Sequence, residues 1–324
     1  MKPEILKGIN GEYLFFPDKE ETILSAGKFS TTYLGADSSA KRVIIKQLNP
    51  RLSGDDQARY RFLVEAGIRL KHPAIVRAID LIKTRDTYFI ILEYIHGTDL
   101  KTLIKRGDFK HNSRLACRLI IPLLDAIAAV HRENIIHRDI KPSNILVAYK
   151  PGTGDIDWHN PDVKLIDFGL SKTNDGIPLF PGSKKRHPFP ILYAAPEVVL
   201  NREDLTDQRS DLYSLALVMM EMFTGQPVFY ADNPAAIITR QISDQPRRPV
   251  KMYPRFYEIF RKAAAKQKFH VSPSKLPPER ITEILKEGLN KRYESAEAMH
   301  QDLMHFMRNP GEMPKGFFQR IFKG

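Results

Sequence analysis

The stretch His137-Arg138-Asp139-Ile140-Lys141-Pro142-Ser143-Asn144 brings a carboxylate, cations and an amide close together in the chain. Downstream come Asp167-Phe168-Gly169 and then Ala195-Pro196-Glu197. If these segments meet, Asp139 can accept a hydroxyl proton and Lys141 can steady a transferring anion. Asn144 and Asp167 offer the oxygens that a hard divalent cation takes. Those are the requirements of Mg²⁺-assisted phosphoryl transfer, where positioning and charge neutralisation do most of the work. The competing reading is that these polar side chains merely cap loops.

The elements that must hold them change character along the chain. Segments 31–35, 42–48, 75–81 and 88–94 are short, β-branched or aromatic, and separated by polar or Gly-containing turns, which predicts strands. One helix, over 55–70, interrupts them and is stopped by Pro73. After Gly97 long helices take over. Ala116, Leu119, Ile120, Leu123, Leu124, Ile127 and Val130 recur at the spacing of a packed helix face, with Pro122 inside to kink it. Segment 212–223 is apolar nearly all round, which predicts a buried central helix ended by Gly225. Met299, Leu303 and Phe306 form one more helical stripe. There is no internal repeat and no low-complexity tract. The expected class is α+β: a small β-rich lobe with one helix, then a larger, mainly helical lobe.

Composition narrows the setting. The 324 residues are 42% hydrophobic and 27% charged, an ordinary globular balance with chain enough for two lobes. The net charge of +12 favours anionic partners. A single cysteine, Cys117, excludes an intrachain disulfide and argues against a thiolate zinc site. Lying on the apolar helix, it is expected to be an inert buried thiol. The first residues contain no apolar signal segment, and no run approaches the roughly 18 apolar residues of a membrane span. The expectation is a reduced, soluble, cytoplasmic protein.

In order and spacing these motifs resemble the eukaryotic-type Ser/Thr protein kinase family over residues 13–308, and the Arg-Tyr-x-Ser-Ala stretch at 292–296 is most similar to bacterial members. The resemblance implies a bilobal kinase-like fold: an N-lobe over 1–95, a C-lobe over 96–309 and a basic aromatic tail over 310–324. It implies ATP and Mg²⁺ as cofactors. Asp139 then stands as catalytic base, Lys141 as the γ-phosphate contact, and Asn144 and Asp167 as Mg²⁺ ligands. Lys46, in Val43-Ile44-Ile45-Lys46, would hold the α/β-phosphates, with Glu65 as its helix partner. The nucleotide would lie among Ser25, Gly27 and Ser30 of the glycine-rich loop, Ile44 on the roof, Leu146 on the floor and Asp99 at the ribose. Leu92 would be the gatekeeper, with backbone groups of Glu93 and Ile95 bonding adenine. Asp211 matches the aspartate that braces the catalytic loop, and Glu197 with Arg292 matches a structural ion pair.

The sequence departs from the family pattern in several places. Ser25-Ala26-Gly27-Lys28-Phe29-Ser30 keeps only the middle one of three glycines, which weakens the phosphate cradle. Ile44 and Thr32 stand where the adenine roof usually has Ala and Val. Glu65 lies two residues closer to His72-Pro73 than usual, shifting its helix phase by about 200° unless the following loop is shorter. Arg69 is a poor fit to an apolar position. Pro190 falls where a threonine often contacts the base. Between Asn144 and Asp167 lie 22 residues, an extension expected as a hairpin carrying Trp158, for local packing or partner docking.

Regulation and partners follow the same reasoning. Arg138 precedes the base, a position that in the family often reads a phosphate, and Ser183 beside Lys184, Lys185 and Arg186 is the switch candidate. The alternative is that this loop is already ordered or binds acidic substrate. A basic run from Arg240 to Lys268, interleaved with Tyr253, Phe256 and Tyr257, reads as a solvated face or a dock for acidic protein rather than for nucleic acid. Residues 317–323 could touch an anionic membrane or form a linker. The reading is a kinase acting on Ser/Thr hydroxyls of protein substrates and on itself. Its rivals are a pseudokinase-like scaffold with weak nucleotide binding and a small-molecule phosphotransferase of related fold.

Overall fold

The computed structural model describes residues 2–67, 70–168, 171–173 and 191–311. Arg69, Gly169, Ser183 with its basic neighbours, Pro190 and the tail from 312 onward lie outside the described residues.

The first part is one antiparallel sheet. Strands β1 (Glu4–Lys7), β2 (Glu12–Phe15), β3 (Ile23–Ala26), β4 (Ser30–Asp37) and β5 (Arg42–Leu48) precede helix α1 (Asp56–Gly67); β6 (Ala78–Lys83) and β7 (Tyr88–Glu93) follow it. The strand order is β1-β2-β4-β5-β7-β6, with β3 on β4. Its register decides which side chains can meet. Thr32 pairs with Lys46, Leu34 with Ile44, Ile44 with Leu92 and Lys46 with Ile90. Directly opposed residues share a face, so Thr32, Ile44, Lys46 and Leu92 all project to one side. The other side carries the core of Phe15, Tyr33, Val43, Ile45, Phe89 and Ile91. Helix α1 packs on the Lys46 side, its Ala58 and Phe62 against Leu48 and Ile90. Glu65 continues that helical face, three residues after Phe62 as Phe62 is four after Ala58, and so points toward Lys46.

The expected strand over 75–81 starts later, at Ala78. Ile75 and Val76 are buried by a different partner: the Val76 N–H donates to the Leu165 carbonyl (3.0 Å) and the Leu165 N–H to Ala74 (2.8 Å). This stitch ties the first part of the chain to the strand that delivers Asp167.

The second part is mainly helical. It contains β8 (Gly97–Asp99), α2 (Leu100–Arg106), α3 (Ser113–Arg132), β9 (Ile135–Ile136), β10 (Ile145–Ala148), β11 (Val163–Leu165), β12 (Lys172–Thr173), α4 (Pro196–Val199), α5 (Gln208–Thr224), α6 (Pro234–Ser243), α7 (Pro254–Ala263), α8 (Pro278–Leu289) and α9 (Ala296–Arg308). Helix α5 is buried from Ser210 through Phe223, and Gly225 ends it at a φ of 80° that a residue with a Cβ disfavours. The predicted apolar faces of α3 and α9 close on it. Strands β8, β10 and β11 form a small sheet in the order β11-β10-β8, and a Cβ on Gly97 would lie 2.2 Å from the Val147 carbonyl, so only glycine lets the strands approach. The hairpin expected over 149–159 does not form: β10 and β11 pair with each other on either side, and residues 149–162 between them are turns, bends and irregular backbone without a strand. Cys117 is fully buried, and burial pushes its thiol well above the ordinary pKa. Among the described residues no helix is long and apolar enough to cross a membrane.

Candidate active site

Two side-chain networks meet where the sheet faces the helical part. In the first, Lys46 Nζ donates to both Glu65 carboxylate oxygens (2.7 and 2.7 Å) and to Asp167 Oδ1 (2.8 Å). Burial alone would pull the Lys46 pKa down. The carboxylates of Glu65 and Asp167 outweigh it and hold the ammonium above the ordinary lysine range. Glu65 therefore reaches Lys46 despite its short distance in sequence from Pro73.

In the second network Lys141 Nζ donates to both oxygens of Asp139 (2.9 and 2.8 Å). Asn144 Nδ2 donates to the Asp139 carbonyl and to Asp139 Oδ2, each at 2.9 Å. Two acceptors on one side fix the amide orientation and turn the Asn144 Oδ1 away from them. Burial raises the Asp139 pKa above the usual carboxylate value, with Lys141 pulling the other way. The networks are joined by the Ile166 N–H donating to the Asn144 carbonyl (2.9 Å) and by Phe168 against His137, ring centroids 4.5 Å apart.

The loop is held in an expensive shape. Arg138 and Asp167 both have positive φ, 66° and 64°, where a side chain crowds its own backbone. Asp211 offsets this from the start of α5 by accepting the N–H groups of His137 (2.8 Å) and Arg138 (2.9 Å) and a bond with His131 Nε2 (2.9 Å). Burial works against its charge, yet these bonds keep its pKa below the ordinary range.

The residues assigned to the nucleotide fall on the large sheet, the small β8–β10 pair and the backbone beside them. Ile44, Leu92 and Lys46 share a sheet face, and Leu146 opposes Asp99 in the β8–β10 register. The Asp99 carboxylate caps α2, accepting the Thr102 N–H and hydroxyl (2.9 Å each), so it is already bonded where the ribose contact was expected. The Glu93 N–H is spent on the Arg77 carbonyl (3.0 Å). Ile95 is half-buried beside it, whereas Ser25 and Gly27 are exposed and Ser30 is half-buried. A Cβ on Gly27 would meet nothing nearer than the Ser30 carbonyl at 3.5 Å, so the fold itself does not demand glycine there.

Sequence reasoning missed two contributors. Glu203 forms an ion pair with Arg138, and His131 braces Asp211. Neither is marked by a local motif, because their partners lie 65 and 80 residues away. Among the described residues no three His, Cys, Asp or Glu side chains cluster as a metal site. Asn144 Oδ1 and the Asp167 carboxylate are oxygen donors of the kind a hard divalent cation takes.

A family model described as protein kinase domain matches residues 19–304. The chain is 34% identical over 236 residues to serine/threonine-protein kinase PknL of Mycobacterium tuberculosis, covering 69% of this chain and 53% of PknL. It is 30% identical over 259 residues to serine/threonine-protein kinase PknB of Mycolicibacterium smegmatis, 75% of this chain and 39% of the relative. With serine/threonine-protein kinase PrkC of Bacillus subtilis it shares 28% over 308 residues, 92% of this chain and 41% of PrkC. The chain thus spans about half or less of the length of the curated relatives it matches.

Proposed function

The chain belongs to the protein kinase family, and from that premise we propose that it transfers the γ-phosphoryl group of ATP to Ser or Thr hydroxyls of protein substrates, itself included. The observation that carries the reading is the convergence of the Lys46–Glu65–Asp167 and Asp139–Lys141–Asn144 networks at one place.

In this reading the lobes are residues 1–95 and 96–309, with ATP between them. Lys46, kept charged and aimed by Glu65, binds the α/β-phosphates. Gly27, exposed and unconstrained by the fold, lets backbone N–H groups approach phosphate between Ser25 and Ser30. Ile44 and Leu146 cover the two faces of adenine, its edge meeting the Glu93 carbonyl and the backbone of Ile95; Asp99 faces the ribose. Asn144 and Asp167 would hold Mg²⁺, which when bound would supply charge neutralisation at the phosphates. Asp139 takes the proton of the attacking hydroxyl as the new O–P bond forms and ADP departs. Lys141, two residues on, lies beside the carboxylate and can bond the γ-phosphate as well. ATP as donor puts the reaction in the cytoplasm. An acidic partner protein is the docking class that fits the net charge.

Arg138 needs no phosphate to complete its ion pair, since Glu203 already supplies a carboxylate. Glu203→Gln is expected to lower the transfer rate about tenfold, the value of one charge-assisted bond, with KM for ATP unchanged. Initial rates measured against ATP concentration check this. A rate equal to wild type would leave Arg138 to some other partner.

The reading as a whole is tested by transfer from labelled ATP to the chain itself and to a generic basic protein, beside a thermal-shift titration with Mg-ATP. Incorporation on Ser or Thr is expected, with a rise in Tm. No incorporation together with no shift overturns the enzyme and leaves a scaffold.

A further inference from the structure

A cavity of about 560 Å³ opens between the end of α2, the first turns of α3 and the 149–162 connection, lined by residues that include Arg106, Asp108, Arg114, Arg118 and Trp158. None of these belongs to the site above. We propose that this cavity is a docking site for an acidic, extended peptide segment of a partner protein.

Charge points to the ligand class. Three arginines face one carboxylate, Asp108, and that carboxylate is taken by Arg106 at 2.8 Å. Arg114 has no carboxylate partner among the described residues. Arg118 donates from Nη1 to the Trp158 carbonyl (2.9 Å), a neutral acceptor, and has no carboxylate partner among the described residues. Guanidinium groups match carboxylates by paired, planar hydrogen bonds, which an ammonium cannot make.

Geometry points to the spacing. Arg114 and Arg118 are four residues apart on α3, so they lie on one face about 6 Å apart along the helix. An extended peptide repeats its side-chain direction every second residue, about 6.6 Å along the chain. Two acidic residues at alternate positions therefore reach the two arginines in register. Trp158 supplies the apolar wall: its ring stands edge-on to Phe109, centroids 5.6 Å apart, and the carbonyl bond to Arg118 pins the connection to the helix. The wall is already formed before a ligand arrives, which lowers the ordering cost of binding. Tryptophan and arginine around a preformed hollow are the residues that carry most binding energy at protein interfaces. The extension between β10 and β11, read from sequence as packing or docking, does both.

Trp158 is the only tryptophan in the chain, so its fluorescence reports on this cavity alone. The experiment titrates the whole chain, without ATP, with a peptide carrying glutamates at alternate positions, with its glutamine counterpart, and with an oligonucleotide of equal charge. A saturable change in emission is expected with the glutamate peptide and none with the glutamine one. Exposed Arg114 can be altered without disturbing the wall, and Arg114→Gln is expected to weaken binding about tenfold at unchanged Tm. The proposal is overturned by a glutamate peptide that gives no saturable change, by an equal response to the glutamine peptide, by tighter oligonucleotide binding, or by unaltered affinity in Arg114→Gln. No step of the test uses phosphate transfer, so its failure and that of the kinase reading are separately visible.

Discussion

Asp139→Asn is expected to reduce phosphate transfer by about 10³-fold, the loss that follows removal of a positioned general base. The substitution is nearly isosteric and keeps an oxygen for the Asn144 amide, so the loop geometry should survive. Asp139 is buried, and burial already disfavours its charge, so a neutral amide costs the fold little. Lys141 loses its carboxylate partner, which leaves its ammonium available to the phosphate it is proposed to bind. The expected signature is thus a fall in kcat with KM for ATP and the Mg-ATP thermal shift close to wild type. That split separates loss of the base from loss of nucleotide binding. A variant retaining more than about a tenth of the wild-type rate would show that Asp139 does not take the proton, since a general base accounts for at least 10²-fold.

The reach of sequence reading is set by how local the geometry is. Asp139, Lys141 and Asn144 bond one another within six positions of chain, so type and spacing display the cluster directly. The Lys46–Glu65 contact needs more: the sheet register must face α1, and Glu65 must follow Ala58 and Phe62 on one helical face. Counting back from Pro73 puts the glutamate out of phase, whereas counting forward along that face puts it in contact. Ile75 and Val76 show the opposite case. Their apolar, β-branched character predicts a strand, but nothing local says that their partner is β11 rather than β7. Glu203 is harder still, an acid in the polar run Arg202-Glu203-Asp204 whose partner lies on a different loop. Asp99 illustrates competition between roles, since a residue that starts a helix is an N-cap by the same chemistry that suits it to a ribose hydroxyl.

Removing one member of the Glu197–Arg292 pair is expected to give the largest loss of stability in the chain. The guanidinium forks onto the carboxylate, Nη1 to Oε1 at 2.7 Å and Nη2 to Oε2 at 3.0 Å, and the two side chains are 0% and 1% exposed. Glu197 also accepts the Ser210 hydroxyl (2.7 Å), and Arg292 donates from Nε to the Ala265 carbonyl (2.8 Å) while covering the Tyr213 ring at 4.8 Å. That last bond joins Ala265 to Arg292 and so closes the base of the excursion carrying α8, where Gly288 packs against the backbone of Lys266 and Gln267. Arg292→Ala strands a buried carboxylate with one hydroxyl and should cost about 3–5 kcal/mol. For a chain of this size each kcal/mol lowers Tm by roughly 1.5 °C, so scanning calorimetry should register a fall of about 4–7 °C. Because the pair is out of water, added salt should not reduce the difference between wild type and variant. The discriminating variant is the double change Glu197→Leu with Arg292→Met. Two apolar side chains leave no unpaired charge, so the double variant should be more stable than Arg292→Ala although it has lost more hydrogen bonds. If the double variant instead sums the two single losses, the cost lies in those bonds to Ser210 and Ala265. The buried charge would then not be what fixes α4 against α5 and the start of α9.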